Sequence, residues 1–130
     1  MPLQLPREAP LFFSRWELTR GQVVPPEYEG NLRILLQSLH NLRLLWGRPM
    51  TVSSGFRSLS HNKAVGGARA SAHLTCQAAD IADLGQPLSN WLVRNEQALV
   101  QCVLWMEDPR WTPTWTHLQI RPARSRIFIP

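Results

Sequence analysis

Apolar residues recur at three- and four-residue steps from Leu32 through Leu35, Leu36, Leu39 and Leu42 to Trp46. That spacing predicts one apolar face of a helix. Pro25-Pro26-Glu27 opens it, with proline near the first turn and an acid close behind. Gly47 ends it as a C-cap and Pro49 follows. Upstream, Ser14 and Glu17 form a capping-box pair that predicts a single helical turn. Pro2, Pro6 and Pro10 mark residues 1–15 as an extended arm that Phe12 and Phe13 pin to a domain over 16–130. His40 lies on the long helix beside Asn41 and reads as a surface residue.

Beyond Pro49 the pattern shortens. Met50 to Ser53 predicts a short strand, and Ser54 to Ser58 turns out of it. Leu59 to Val65 predicts a short helix ending at Gly66-Gly67, with Ala68 to Ala70 as loop. Ala78 to Ala82 is apolar apart from Asp80, which puts that aspartate on a buried strand. A carboxylate there needs a partner, because an isolated buried charge is costly. Pro87 opens a helix through about Val100, with Leu88, Trp91, Leu92, Asn95 and Leu99 on one side. Gln101–Met106, Trp115–Ile120 and Arg126–Ile129 are further strand candidates. Helices first, then strands with one helix between, predict an α+β domain with a small, mostly antiparallel sheet flanked by helices.

A chain of 130 residues fits one compact domain. A net charge of +5, with Arg121, Arg124 and Arg126 near one end, suits anionic surroundings. No Arg/Lys block, RNA-binding signature or zinc-finger spacing accompanies it, so a nucleic-acid partner is not expected. Two cysteines, Cys76 and Cys102, are too few for a disulfide framework and read as reduced, half-buried thiols. Trp46, Trp91, Trp105, Trp111 and Trp115 are expected in the core or along the walls of a groove. The N-terminus lacks a charged region followed by an apolar one, and no apolar run is long enough to span a bilayer. The expectation is a chain made in the cytoplasm, monomeric, and carried or released outward by other means if it works there.

The chemistry gathers around Ser71 to Asp80. His73 and Asp80 stand seven positions apart, and His117 follows in Trp115-Thr116-His117. Alternation along a strand puts Trp115, His117 and Gln119 on one face, which can meet the strand carrying Asp80. The three side chains admit two readings: a hydrogen-bonded polar cluster, or a zinc set with a fourth position left for water.

Ser53-Ser54-Gly55-Phe56-Arg57-Ser58, then Ser71-x-His73-x-x-Cys76-x-Ala78-x-Asp80, then Trp115-x-His117 resemble the motifs S-G-Y/F-R-S, S-x-H-x-x-G-x-A-x-D and W-x-H of the zinc D-alanyl-D-alanine carboxypeptidase family. That family includes bacterial and phage cell-wall peptidases and shares its fold with the hedgehog signalling domain. The resemblance runs from about Trp16 to Arg126 and includes His61-Asn62-Lys63-Ala64-Val65-Gly66-Gly67. It implies a hedgehog-like fold, one Zn2+ per chain on His73, Asp80 and His117, and a peptidoglycan peptide as substrate, as in a phage or prophage lysis protein. Arg57 matches the arginine that meets the substrate, and Ser71 a serine that supports the site by hydrogen bonds. Trp111 and Trp115 would line the groove.

Two positions depart from the family. Cys76 replaces the motif glycine, which strains it if that position needs positive φ; a thiol near zinc also competes as a ligand. Thr114 stands where many members carry an acidic base three residues before the last histidine. Other members place the acid at the end of the preceding strand, and Glu107 matches that arrangement, with Asp108 second. The same two acids otherwise read as solvated loop residues before Pro109. The resemblance therefore implies a metallopeptidase of carboxypeptidase or endopeptidase type. The alternative is a zinc-containing module that binds a wall peptide or protein partner without cutting it.

Overall fold

The computed structural model describes Phe12 to Pro130. The arm expected over residues 1–15 lies mostly outside those residues. Where the description begins, Phe13 is buried and Phe12 stacks on His40.

Helix α1 (Arg15–Thr19) carries the full capping box between Ser14 and Glu17. A 3-10 turn at Pro26–Tyr28 leads into α2 (Glu29–Trp46), which stops at Gly47 with φ 76°. Leu32, Leu35, Leu39 and Leu42 are fully buried on it, as their spacing predicts. Helix α3 (Leu59–Ala64) follows strand β1 (Val52–Ser54), and a 3-10 turn at Ala72–Thr75 precedes β2 (Ala78–Ala82). Two helices, α4 (Pro87–Arg94) and α5 (Glu96–Gln101), connect to β3 (Trp105–Glu107). Strands β4 (Trp115–Gln119) and β5 (Ile127–Phe128) complete a sheet in the order β1-β2-β4-β3-β5. All its pairings are antiparallel except β3 with β5. This is the small α+β fold the pattern predicts.

Alternation divides the sheet cleanly. Ala79, Ile81, Met106 and Leu118 point into one cluster with the α2 leucines and with Leu88, Leu92 and Leu99. Asp80, Glu107, His117 and Phe128 occupy the opposite face. Asp83, just past β2, anchors α4 beneath β4. Its carboxylate accepts from the backbone N–H groups of Leu88 and Ser89 and from the Thr116 hydroxyl at 2.8–2.9 Å, all buried. Residue 116 is thereby tied from below, and its neighbour 117 faces the other way.

Three expectations need correction. The single helix over Pro87–Val100 is broken at Asn95, whose backbone leaves the helical region (φ −130°, ψ 53°). The Asn95 amide donates to the Trp91 carbonyl, supplying locally a bond the helix would have made. Gln101 to Leu104 is not strand: Gln101 ends α5, and Val103 adopts φ 57° so that the Leu104 N–H reaches the Leu99 carbonyl. A valine in that region is rare, and no sequence signal marks it. His40 is buried rather than exposed: its Nδ1 accepts from the Phe12 N–H at 2.9 Å, and its Nε2 has no partner among the described residues.

Cys76 and Cys102 are free and buried, and burial pushes both thiols up to about 11. Cys76 points into the apolar core and takes no part in the polar cluster, so it is no rival ligand. Its φ is 59°, so the motif glycine is replaced at a left-handed position and the strain expected there is present.

Two outcomes follow. Burial, with a smaller contribution from the Arg43 charge, lowers the His40 pKa. A base with a depressed folded pKa contributes stability that is present above its unfolded value of about 6.5 and lost as pH falls below it. Denaturant melts at pH 7.5 and 5.5, both with chelator, should show wild type losing more stability than His40→Gln on acidification. Equal losses would contradict the buried neutral imidazole. At position 76, Cys76→Gly should stay within about 1 kcal/mol of wild type, strain relief offsetting lost burial. Cys76→Val should cost about 1–3 kcal/mol more, because a β-branched residue tolerates left-handed backbone poorly. A glycine variant no better than the valine variant would contradict that.

Candidate metal centre and catalytic cleft

The sheet places its polar residues in one row. Ser54 on β1 pairs with Asp80 on β2, and Asp80 pairs with His117 on β4. The β3–β4 register, Trp105 with Gln119 and Met106 with Leu118, brings Glu107 beside His117 at the next step. Glu107 then pairs with Phe128 on β5. A single line of cross-strand neighbours thus runs Ser54, Asp80, His117, Glu107, Phe128.

His73 enters this row from the 3-10 turn. Ser71 caps that turn, its hydroxyl accepting from the His73 N–H at 3.1 Å. The ring is only 3% exposed, and its Nδ1 lies 2.7 Å from the Gly55 carbonyl. A carbonyl only accepts, so Nδ1 carries the proton and Nε2 turns toward Asp80 with its lone pair. Gly55 is required there, because a Cβ would collide with the Leu18 backbone. That contact explains the glycine of the Ser54-Gly55-Phe56-Arg57 motif.

His117 is fixed in the same way. The Gln119 amide donates to the Arg121 carbonyl at 2.8 Å, which leaves its oxygen to face His117 Nε2 at 2.8 Å. Nε2 therefore donates, and Nδ1 turns its lone pair toward Asp80. Asp80 Oδ1 sits 3.0 Å from His117 Nδ1 and 3.3 Å from His73 Nε2, while Oδ2 accepts from Arg57 Nη2 at 3.3 Å.

Two neutral imidazoles with their other nitrogens committed would present lone pairs to one carboxylate oxygen. That arrangement repels unless a metal cation or an added proton lies between them. Burial works to raise the Asp80 pKa, but the hydrogen bonds and charges of His117 and His73 outweigh it and hold the group well below the usual carboxylate range. Burial likewise opposes charge on His117, yet the bond to Asp80 and its charge raise that ring's pKa. The cluster is organised around positive charge.

The donor set fits zinc. One ligand atom from each of His73, Asp80 and His117 lies within 4.8 Å of the others. Ligands at about 2.0–2.1 Å around a tetrahedral ion are about 3.4 Å apart, close to the 3.0 and 3.3 Å separations here. Two nitrogens and one carboxylate oxygen, with Gly55 and Gln119 holding the outer nitrogens of the two rings, are a zinc-type arrangement.

The cluster forms the floor of a cleft of about 530 Å3. Glu107 lines it, half-buried, as do Trp111, Trp115 and Phe128. Burial raises the Glu107 pKa and the Asp80 charge adds to this, against opposing contributions from His117 and His73. Asp108 does not line this cleft. Its carboxylate is bound by the Arg110 guanidinium at 2.8 Å and caps the turn at Pro109–Trp111, and the Arg110 bond lowers its pKa. Thr114 is exposed, and its carbonyl serves the Asp83 N–H.

Arg57 stands on the cleft wall. Besides Asp80 it donates to Ser54 Oγ at 3.2 Å and to Asn62 Oδ1 at 3.3 Å. Asn62 is buried, donates to the Ala68 carbonyl, and abuts Gly67 so closely that a Cβ would collide with it. The phrase from His61 to Gly67 is therefore a brace for Arg57. The sequence reading gives Asn62, Phe128 and Arg121 no place in the site. Gln119 was placed on the correct face by alternation, whereas β5 is too short to reveal which face Phe128 takes.

Residues 9–111 match the family model Peptidase M15. The match takes in His73, Asp80 and Glu107, and His117 lies beyond its end, brought in by the pairing of β4 with β2. No curated protein sequence matches the chain. With most of its length covered by that model and a His-Asp-His donor set at the foot of its cleft, the chain belongs to the peptidase M15 family.

Proposed function

We propose that this peptidase is zinc-dependent and hydrolyses an amide bond in a peptidoglycan stem peptide. The observation that carries the reading is the convergence of two committed imidazoles on Asp80, with Glu107 next in the same row. His73, Asp80 and His117 would hold the metal. When bound, zinc supplies a Lewis acid that polarises the scissile carbonyl and acidifies the attacking water.

Glu107 is the general base. It takes a proton from the attacking water as the oxygen bonds to the carbonyl carbon, and passes it to the amine nitrogen as the C–N bond breaks. Its raised pKa suits both halves of that shuttle. The Arg110 bond to Asp108 favours Glu107 over it as the base. Arg57 orients the substrate from the cleft wall, braced by Ser54 and Asn62. Ser71 sets the turn that carries His73. Trp111, Trp115 and Phe128 give the cleft an apolar side against which a peptide lies.

The test is digestion of purified peptidoglycan by zinc-loaded protein, with new amine and carboxyl termini followed by mass spectrometry. Glu107→Gln should lose about 10²- to 10⁴-fold in rate while keeping its zinc. Asp108→Asn should stay within about threefold of wild type, since its charge serves Arg110 at the surface. A Glu107→Gln variant near wild-type rate would remove Glu107 from the mechanism. A zinc-loaded wild type that binds the peptides and never cuts them would favour a binding module.

A further inference from the structure

Arg121 lies just beyond β4 and lines the same cleft as Arg57. The two guanidiniums differ in one respect. Arg57 is paired with the Asp80 carboxylate, so its charge is offset within the protein. Arg121 makes three hydrogen bonds, all to uncharged oxygens: Nε to Gln77 Oε1 at 3.1 Å, Nη1 to the Ala70 carbonyl at 2.7 Å and Nη2 to Thr75 Oγ1 at 2.9 Å. No described carboxylate forms an ion pair with it.

Those three bonds hold the head in place. They come from the loop at Ala70, from the turn that carries His73, and from the residue just after Cys76. A guanidinium has five N–H donors, so two remain. A cation fixed by neutral acceptors, only partly buried and facing a cleft, keeps its charge for a ligand. Little rotamer entropy is then lost when an anion arrives. Carboxylate is the group whose two oxygens match a guanidinium edge.

We infer that Arg121 is a specificity-determining residue that receives a carboxylate of the substrate at the end of the cleft away from Glu107. The strand register supports that placement: Glu107 sits beside His117, and Arg121 follows four residues later along the chain. The carboxylate it reads is therefore one the substrate carries away from the bond being cut. This deepens the peptidase reading above and rests on it for the identity of the ligand, a peptide with free carboxyl groups.

The probe is a stem-type pentapeptide, L-Ala-γ-D-Glu-L-Lys-D-Ala-D-Ala, compared with the same peptide amidated at its carboxyls. KM is measured where the peptide is cut, and Kd by NMR titration where it is not, on zinc-loaded protein. Wild type should favour the acid by about tenfold, the worth of one charge-assisted contact. Arg121→Gln should reduce that preference to about twofold and leave the amidated peptide within about twofold of wild type. If Arg121→Gln fails to fold, Arg121→Lys carries the test. It keeps the charge without the fork, so the preference should fall to about threefold.

An undiminished preference in the folded variant would overturn the inference, as would a wild type that does not distinguish the two peptides or binds neither. Equal weakening toward both peptides would overturn it too, reducing Arg121 to a clamp on the loop. Absence of cleavage with the preference intact would sink the peptidase reading and leave this one standing.

Discussion

Asp80 is a carboxylate carried into the middle of a sheet, and the rest of the site follows from how that charge is satisfied. One oxygen faces two histidine nitrogens and the other faces Arg57. Both histidines have spent their remaining N–H elsewhere, on the Gly55 carbonyl and the Gln119 amide oxygen. The protein has thus fixed which nitrogen of each ring points inward, and each inward nitrogen is a lone pair when the ring is neutral. Holding lone pairs against a carboxylate costs energy that a cation at their meeting point returns.

The scaffold around Asp80 is arranged to keep that geometry. The antiparallel pairing of β2 with β4 sets His117 directly across from it, and the pairing of β3 brings Glu107 to the far side of His117. Beneath the sheet, Asp83 ties Thr116 to the start of α4, so the strand bearing His117 is held from both faces. Gly55 lets the β1 turn press against Leu18, which aims its carbonyl at His73. The cost appears at Cys76, where the turn that delivers His73 ends in left-handed backbone with a side chain that prefers not to be there.

How much of this was legible beforehand depends on the range of the interaction. The long helix, its glycine stop and the capping box at Ser14 are local devices written in consecutive residues, and they stand where the pattern puts them. Alternation placed Asp80 on a buried strand and Trp115, His117 and Gln119 on one face, so the convergence of His117 with Asp80 was readable. Spacing left His73, with Asp80 and His117, open between a polar cluster and a zinc set, and the motif resemblance pointed to the zinc set. The break at Asn95 and the turn at Val103 were not readable, because a side chain bonding its own helix and a valine forced to positive φ carry no periodic signature. His40 misled because its cover comes from Phe12, 28 positions earlier, which stacks on the ring and donates its N–H to Nδ1. Arg121 acts through partners from 44 to 51 positions away, a distance over which spacing says nothing.

The central claim is that His73, Asp80 and His117 form a metal site, and metal content tests it most directly. Elemental analysis of purified protein, beside a His73→Ala control, should find about one zinc per chain in wild type and little in the variant, since three protein ligands reduced to two no longer make such a site. Zinc should also raise the melting temperature of metal-stripped wild type and leave that of the variant unchanged. A wild type that holds no zinc, and takes up none when it is supplied, would contradict the account and reduce the three residues to a hydrogen-bonded cluster.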